Sequence, residues 1–186
     1  YIFEVRDLWP QAPIEVGAIK NPVLKSSLKR LEKKIYQRAM SLVALSPGIA
    51  DHLRKVTPGQ KVHLIPNFSD LDRFFPMEKS QGLRQKYGLT NALTIAYTGA
   101  LGQVNAVDEL LTLAKKAQDK GKSWQFLIMG DGSHESQLKR VAKDNSLSNV
   151  HFIPFGSKEK VNEVLSLADF AWISFAHLPV LKTNSP

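Results

Sequence analysis

The sequence predicts an α/β fold with doubly wound parallel sheets, and three observations lead there. Short apolar runs alternate with amphipathic stretches of about 10–15 residues, which is the pattern of strands joined by helical crossovers. Three of the runs pass into the next helix through glycine, at Thr98-Gly99, Gly130-Asp131-Gly132 and Phe155-Gly156. The 186 residues are 43% hydrophobic and 23% charged, enough to bury a real core.

Taken in order, Tyr1 to Arg6 reads as a strand that Asp7-Leu8-Trp9-Pro10 ends. Leu24, Leu28, Leu31 and Ile35 recur at helical spacing and predict an amphipathic helix from Pro22 to about Met40. Ser41 to Leu45 is a strand, and Ser46-Pro47 supplies an N-cap and a first-turn proline for a helix to about Val56. Lys61 to Ile65 is the next strand. The stretch from Pro66 to Pro76 is irregular, and Gln81 to Tyr87 is a short helix closed by Gly88. A domain boundary is expected here, separating residues 1–76 from 77–186.

Beyond it, Leu93 to Thr98 is a strand. Asn105 is read as the cap of a helix with Asp108 and Glu109 in its first turn and Gly121 past its end. Trp124 to Met129 is a strand, Ser133 to about Asn145 a helix, and Val150 to Ile153 a strand. Ser157 opens a further helix and Asp169 to Ser174 is the last strand. Right-handed crossovers then give a parallel sheet.

Composition excludes several classes. There is no cysteine, so disulfide scaffolds, thiolate zinc sites and cysteine nucleophiles are out. No run reaches the roughly 18 apolar residues of a membrane span. The opening Tyr1-Ile2-Phe3-Glu4-Val5-Arg6 lacks the features of a signal peptide, and its strand-like start reads as a truncated chain. The net charge of +8 is local: between Lys20 and Lys61 stand ten basic residues against Glu32 and Asp51, and the remainder is balanced. A local basic face suggests a local anionic partner.

In open α/β sheets ligands bind beyond the carboxyl ends of the strands. Gly99 and Gly102 there could let backbone amides approach a phosphate at a helix N-terminus, or could serve a tight turn. Gly130 and Gly132 pose the same choice. Phe155 and Gly156 could embrace a base, or Phe155 could be core. Asp7, beside Arg6 and Trp9, is a candidate acid or sugar-hydroxyl ligand, or a surface partner of Arg6. His52, His63, His134, His151 and His177 show no metal-ligand spacing, and no GxSxG elbow is present. Lys25, Lys29, Arg30, Lys33 and Lys34 could face an anionic bilayer or simply solvent; nucleic acid fits less well, because no aromatics interleave the charges.

In order along the chain, Val5-Arg6-Asp7-Leu8-Trp9-Pro10, Ile65-Pro66-Asn67 with Asp70, Phe74 and Pro76, Tyr97-Thr98-Gly99-Ala100-Leu101-Gly102, Gly130-Asp131-Gly132 and Phe152-Ile153-Pro154-Phe155-Gly156 resemble retaining glycosyltransferases of the GT-B fold, family-four type, that build bacterial capsule and lipopolysaccharide O-antigen. The resemblance implies two Rossmann-like domains. Residues 1–76 would be the last part of the acceptor-side N-terminal domain, and 77–186 the first part of the donor-binding C-terminal domain. It implies a UDP-sugar donor, of N-acetylhexosamine type, held near Gly99, Gly102, Gly130, Gly132, Phe155 and Gly156. It also implies a lipid-linked or oligosaccharide acceptor, Asp7 as catalytic residue, no metal and no other cofactor, and a cytoplasmic location peripheral to the inner face of the plasma membrane.

The sequence departs from the family in three places. Ala100 and Asn105 stand where many members carry basic residues for the pyrophosphate, and Arg6-Asp7 stands where many have His-Asp. Lys182-Thr183-Asn184-Ser185-Pro186 stops before the family's donor-gripping motif, so the isolated stretch is expected to be inactive. The rival readings are a nucleotide-sugar epimerase of the same fold, separable by tritium exchange at the sugar C2 without acceptor, and a basic membrane- or nucleic-acid-binding module, separable by the salt dependence of DNA against UDP binding.

Overall fold

A computed structural model describes residues 1–183, and the chain divides into two compact units. The last three residues of the segment read as preceding a donor motif lie outside the described residues.

The first unit comprises Tyr1–Phe68 and the segment from His177 onward. Its sheet has three parallel strands in the order β1 (Ile2–Val5), β2 (Ser41–Ala44) and β3 (Val62–Leu64). The helices are α1 (Gln11–Glu15), α2 (Pro22–Arg38) and α3 (Pro47–Val56). Helix α2 starts where the Asn21 side chain accepts hydrogen bonds from the amides of Val23 and Leu24, with Pro22 at the first helical position. Ser46 caps α3 in the same way, accepting from Ile49 N at 3.2 Å. The buried face of α2 keeps only half of the leucine stripe, Leu28 and Ile35, which are half-buried. Leu24 and Leu31 are 47% and 48% exposed, while Glu32 and Tyr36 are buried, Tyr36 against Phe3 with ring centroids 5.9 Å apart. The helix is rotated so that its polar-aromatic positions face the sheet. Glu32 faces inward 3.5 Å from His52 Nε2, a proximity that hydropathy spacing does not register.

The second unit, Ser69–Ala176, is a four-stranded parallel sheet. Its strands are β4 (Thr94–Thr98), β5 (Gln125–Gly130), β6 (Val150–Pro154) and β7 (Phe170–Ala171), in the order β6-β5-β4-β7. Helices α4 (Gln81–Lys86), α5 (Asp108–Asp119), α6 (Glu135–Asp144) and α7 (Lys158–Ser166) cover both faces. Strand β5 is buried throughout and splits its side chains by alternation. Phe126 and Ile128 pack with Leu110, Leu111 and Leu138 on one face, Leu127 and Met129 with Val164 and Leu167 on the other. Each such fully buried side chain contributes about 1.5–3 kcal/mol.

Four expectations are corrected. Helix α5 begins at Asp108, because Gln103–Asn105 forms a single 3₁₀ turn and Ala106 adopts a left-handed conformation, φ 46°. The last strand is cut to Phe170–Ala171, since its ladder reaches only Ile95 and Ala96 of β4. Helix α1 and the 3₁₀ turn Pro179–Thr183 are too short to show a period. The unit boundary falls at Phe68 rather than residue 76, and the chain rejoins the first unit at His177. Met77 is drawn to the second unit by the Asn162 amide at 3.2 Å, and Lys79 by its ion pair with Asp169. The returning segment is tied by Val180 N to Glu15 Oε2 at 2.8 Å and by the Ser46 hydroxyl to the Thr183 carbonyl.

Burial lowers the pKa of the β6 residue His151. The folded protein therefore binds fewer protons than the unfolded chain below the ordinary imidazole value of about 6.5, and stability falls as pH drops through that window. His151→Gln should shrink the difference in urea midpoint between about pH 7.5 and about pH 5.5. An unchanged difference would show that His151 contributes nothing to the pH dependence.

Candidate functional site

The site is built on the carboxyl ends of β4, β5 and β6, and its geometry follows from how closely two backbones approach. Gly99 N donates to Met129 O at 3.0 Å, extending the β4–β5 ladder into the loop. Leu101 N then donates to Asp131 O at 2.7 Å, and His134 N to Leu101 O at 2.9 Å. At this approach a Cβ on Gly130 would overlap the Gly99 carbonyl oxygen, and one on Gly132 would lie 2.5 Å from Leu101 O. Both glycines are thus required by the packing of one loop on the other. The structure brings Gly99, Gly102, Gly130 and Gly132 into one backbone-locked body.

Gly102 differs from these two. Its φ is −110°, and a Cβ there would meet only the tip of the Asn105 side chain at 3.1 Å. Its amide donates to Asn105 Oδ1 at 3.3 Å, so Asn105 caps the turn after Gly102 and not a helix. At Gly99 a Cβ would lie 3.1 Å from the Tyr97 hydroxyl, which donates to Ala100 O at 2.7 Å. Burial raises the pKa of that hydroxyl, keeping it a donor. The amides of Ala100 and Asp131 meet no protein acceptor among the described residues. They are donors available to an anion, and α6 begins just beyond with its positive end.

Phe155 is 59% exposed, which disposes of the core reading of its ring. Gly156 beside it leaves room taken by the Lys160 stem, whose ammonium donates to Pro154 O at 3.1 Å. Ser157 caps α7, accepting from Lys160 N at 3.4 Å. The pKa of Glu159 in the first turn is lowered, chiefly by a hydrogen bond from its own backbone amide and then by the Ser157 hydroxyl.

Asp7 belongs to the other unit, exposed at the carboxyl end of β1. With Glu4, Arg6, Trp9, Glu32 and Tyr36 it lines a pocket of about 130 Å³, and Arg6 Nε lies 3.8 Å from Glu4 Oε1. Hydropathy spacing missed the cluster behind it. Glu32 Oε1 is 3.5 Å from His52 Nε2, and Glu32 stands beside Tyr36, whose pKa is raised by burial and then by the Glu32 charge. No signal in the sequence links Glu32 to a residue twenty positions on. Of the basic set on α2, Lys29, Arg30, Lys33 and Lys34 are exposed, whereas Lys25 is half-buried on the side of Glu32 and Tyr36. Among the described residues no group of three or more His, Asp or Glu is placed to hold a metal ion.

Comparison with known proteins agrees with this layout. The family model described as Glycosyl transferases group 1 matches residues 80–175. Alpha-galactosylglucosyldiacylglycerol synthase of Streptococcus pneumoniae is 28% identical over 162 residues, covering 82% of this chain and 42% of that protein. Alpha-D-kanosaminyltransferase of Streptomyces kanamyceticus is 24% identical over 147 residues, covering 76% and 38%. The chain spans 33–42% of the length of these and similar curated relatives. Among solved structures, Anabaena HepE in complex with UDP and glucose superposes with a TM-score of 0.71 at 13% identity, covering 94% of this chain and 46% of that one. WaaG, a glycosyltransferase involved in lipopolysaccharide biosynthesis, gives 0.69 at 17% identity, covering 94% and 50%. These likenesses establish the GT-B type of fold.

The loop lock predicts unequal glycine tolerance. Gly130→Ala should lower unfolding free energy by about 1–3 kcal/mol, and Gly102→Ala by less than about 1. Equal urea midpoints for the two variants would contradict the lock.

Proposed function

The chain belongs to the group 1 glycosyl transferases, and on that premise we propose that it is part of an enzyme that transfers a sugar from a UDP-sugar donor to an acceptor hydroxyl. The carrying observation is the pair of interlocked loops after β4 and β5, with the Ala100 and Asp131 amides unspent and the start of α6 adjacent. That is an anion site made of backbone, suited to a diphosphate. The exposed ring of Phe155 offers a face to the nucleoside.

The donor sugar is of N-acetylhexosamine type, and the acceptor is a lipid-linked sugar or oligosaccharide of a surface polysaccharide, such as capsule or lipopolysaccharide. HepE, which shares the fold, is solved with UDP and glucose, which supports a UDP-sugar donor. Transfer proceeds with retention. The bond from the anomeric carbon to the diphosphate breaks, and UDP leaves with the electron pair. The acceptor oxygen bonds to the same face of the sugar and passes its proton to a departing phosphate oxygen. Backbone amides and the N-terminal ends of α6 and α7 offset the charge that develops on the diphosphate, with no metal or other cofactor required. Asp7, at the carboxyl end of β1 in the first unit, serves as the ligand of the acceptor hydroxyl. The first unit, Tyr1–Phe68 with the segment from His177, serves the acceptor side and Ser69–Ala176 the donor side, as parts of a longer two-domain enzyme, and alone they transfer no sugar.

Helix α2 supports a second element of the same reading, cytoplasmic action at the inner face of the plasma membrane. None of the described helices is long and apolar enough to cross a membrane. The exposed side of α2 sets Val23, Leu24 and Leu31 beside Arg30, Lys33 and Lys34, an apolar seam flanked by cations. Such a face suits a surface of anionic lipids, each basic residue adding about 1 kcal/mol.

Two measurements follow. Gly102→Val, placed at a negative φ, should keep the thermal midpoint and weaken UDP binding at least about tenfold, or about 1.4 kcal/mol; unchanged affinity by calorimetry would remove this loop from the site. The chain should co-sediment with vesicles containing phosphatidylglycerol and not with neutral ones, and Lys33→Glu with Lys34→Glu should abolish this. Equal partitioning onto both vesicle types would leave the lysines as ordinary solvated charges.

A further inference from the structure

The turn after β4 is held by more side-chain contacts than a connection needs. Asn105 folds back so that its Oδ1 accepts from Gly102 N at 3.3 Å, while Asn105 N donates to Gly102 O at 3.1 Å. The Asn105 carbonyl in turn accepts from the Ser174 hydroxyl at 2.6 Å, and the Val104 carbonyl accepts from Ala176 N at 2.8 Å. Both donors come from the stretch that follows β7, three strands further along the chain. At the front of the turn the buried Tyr97 hydroxyl fixes the Ala100 carbonyl. The residue that closes it, Ala106, is buried and left-handed at φ 46°, ψ 42°, a conformation that alanine adopts only when its surroundings impose it. Strain of this kind is characteristic of ligand clamps.

We propose that Ser174 and Asn105 are positioning residues for the anion-binding loop. The Ser174 hydroxyl fixes Asn105, and Asn105 fixes Gly102 and the direction of the amides that precede it. The proposal rests on the reading of residues 99–105 as part of the donor site, and it names what sets the shape of that site. The stretch from Thr98 to Asn105 holds no basic side chain. A diphosphate there is recognised by the direction of amide dipoles, and a dipole rotated away from the phosphate loses most of its worth. A loop with lysine or arginine could tolerate a loose backbone; this one depends on its brace. The Ser174 hydroxyl donates to the Asn105 carbonyl and so acts through Asn105.

The test is UDP titration of the 186-residue chain by calorimetry, with Ser174→Ala and Ser174→Thr in parallel. Ser174→Ala should weaken UDP binding about fivefold or more, and Ser174→Thr, which keeps the hydroxyl, should restore it to within about twofold of the unsubstituted chain. Amide hydrogen exchange at Gly102 should rise in Ser174→Ala and return in Ser174→Thr, while exchange in the β5 core stays unchanged. Wild-type UDP affinity in Ser174→Ala, or a loss that Ser174→Thr fails to rescue, overturns the brace alone. No UDP binding by the unsubstituted chain overturns the donor-site reading and the brace together.

Discussion

The second unit depends on the closeness with which the loop after β5 lies against the loop after β4. Hydrogen bonds from Gly99 N and Leu101 N carry the ladder beyond the strands, and they bring Gly130 and Gly132 so near the facing backbone that neither can hold a side chain. This contact is made by main chain, so it is rigid and independent of rotamers. It turns two separate connections into one surface at the carboxyl edge of the sheet. Everything proposed for donor recognition rests on that surface.

Most of the fold was legible because its signals are local. Ser46-Pro47 and Asn21-Pro22 start helices by capping, and the continuous apolar run of β5 announces a strand buried on both faces. The leucine spacing places α2 and only partly orients it, since Leu28 and Ile35 are half-buried while Leu24 and Leu31 are exposed. Glu32 sits inward beside His52 and Tyr36, and a neighbour as far along the chain as His52 leaves no periodic trace. Helix α5 was begun too early because Asn105 resembles a cap; its side chain does cap, but it serves the Gly102 amide across a 3₁₀ turn.

The glycines of the site illustrate the same limit. Read from the sequence, Gly102, Gly130 and Gly132 each allow approach to a phosphate or a tight turn. In the structure the last two are committed to loop packing, and of the three only Gly102 could carry a Cβ without meeting backbone, its one near neighbour being the tip of the Asn105 side chain. The missing basic side chains at Ala100 and Asn105 were visible at once. What replaces their influence was not, since the Ser174 hydroxyl that holds Asn105 lies 69 positions further on.

The central claim is that the interlocked loops form a nucleotide-diphosphate site, and the most direct measurement is an amide NMR titration of the uniformly labelled chain with UDP. The structure predicts the largest shifts at Ala100, Gly102 and Asp131, with smaller ones at Phe155 and Gly156, and none along β1 to β3. Shifts confined to the lysines of α2, or spread evenly over the basic surface, would show charge-driven contact without a site and would contradict the account.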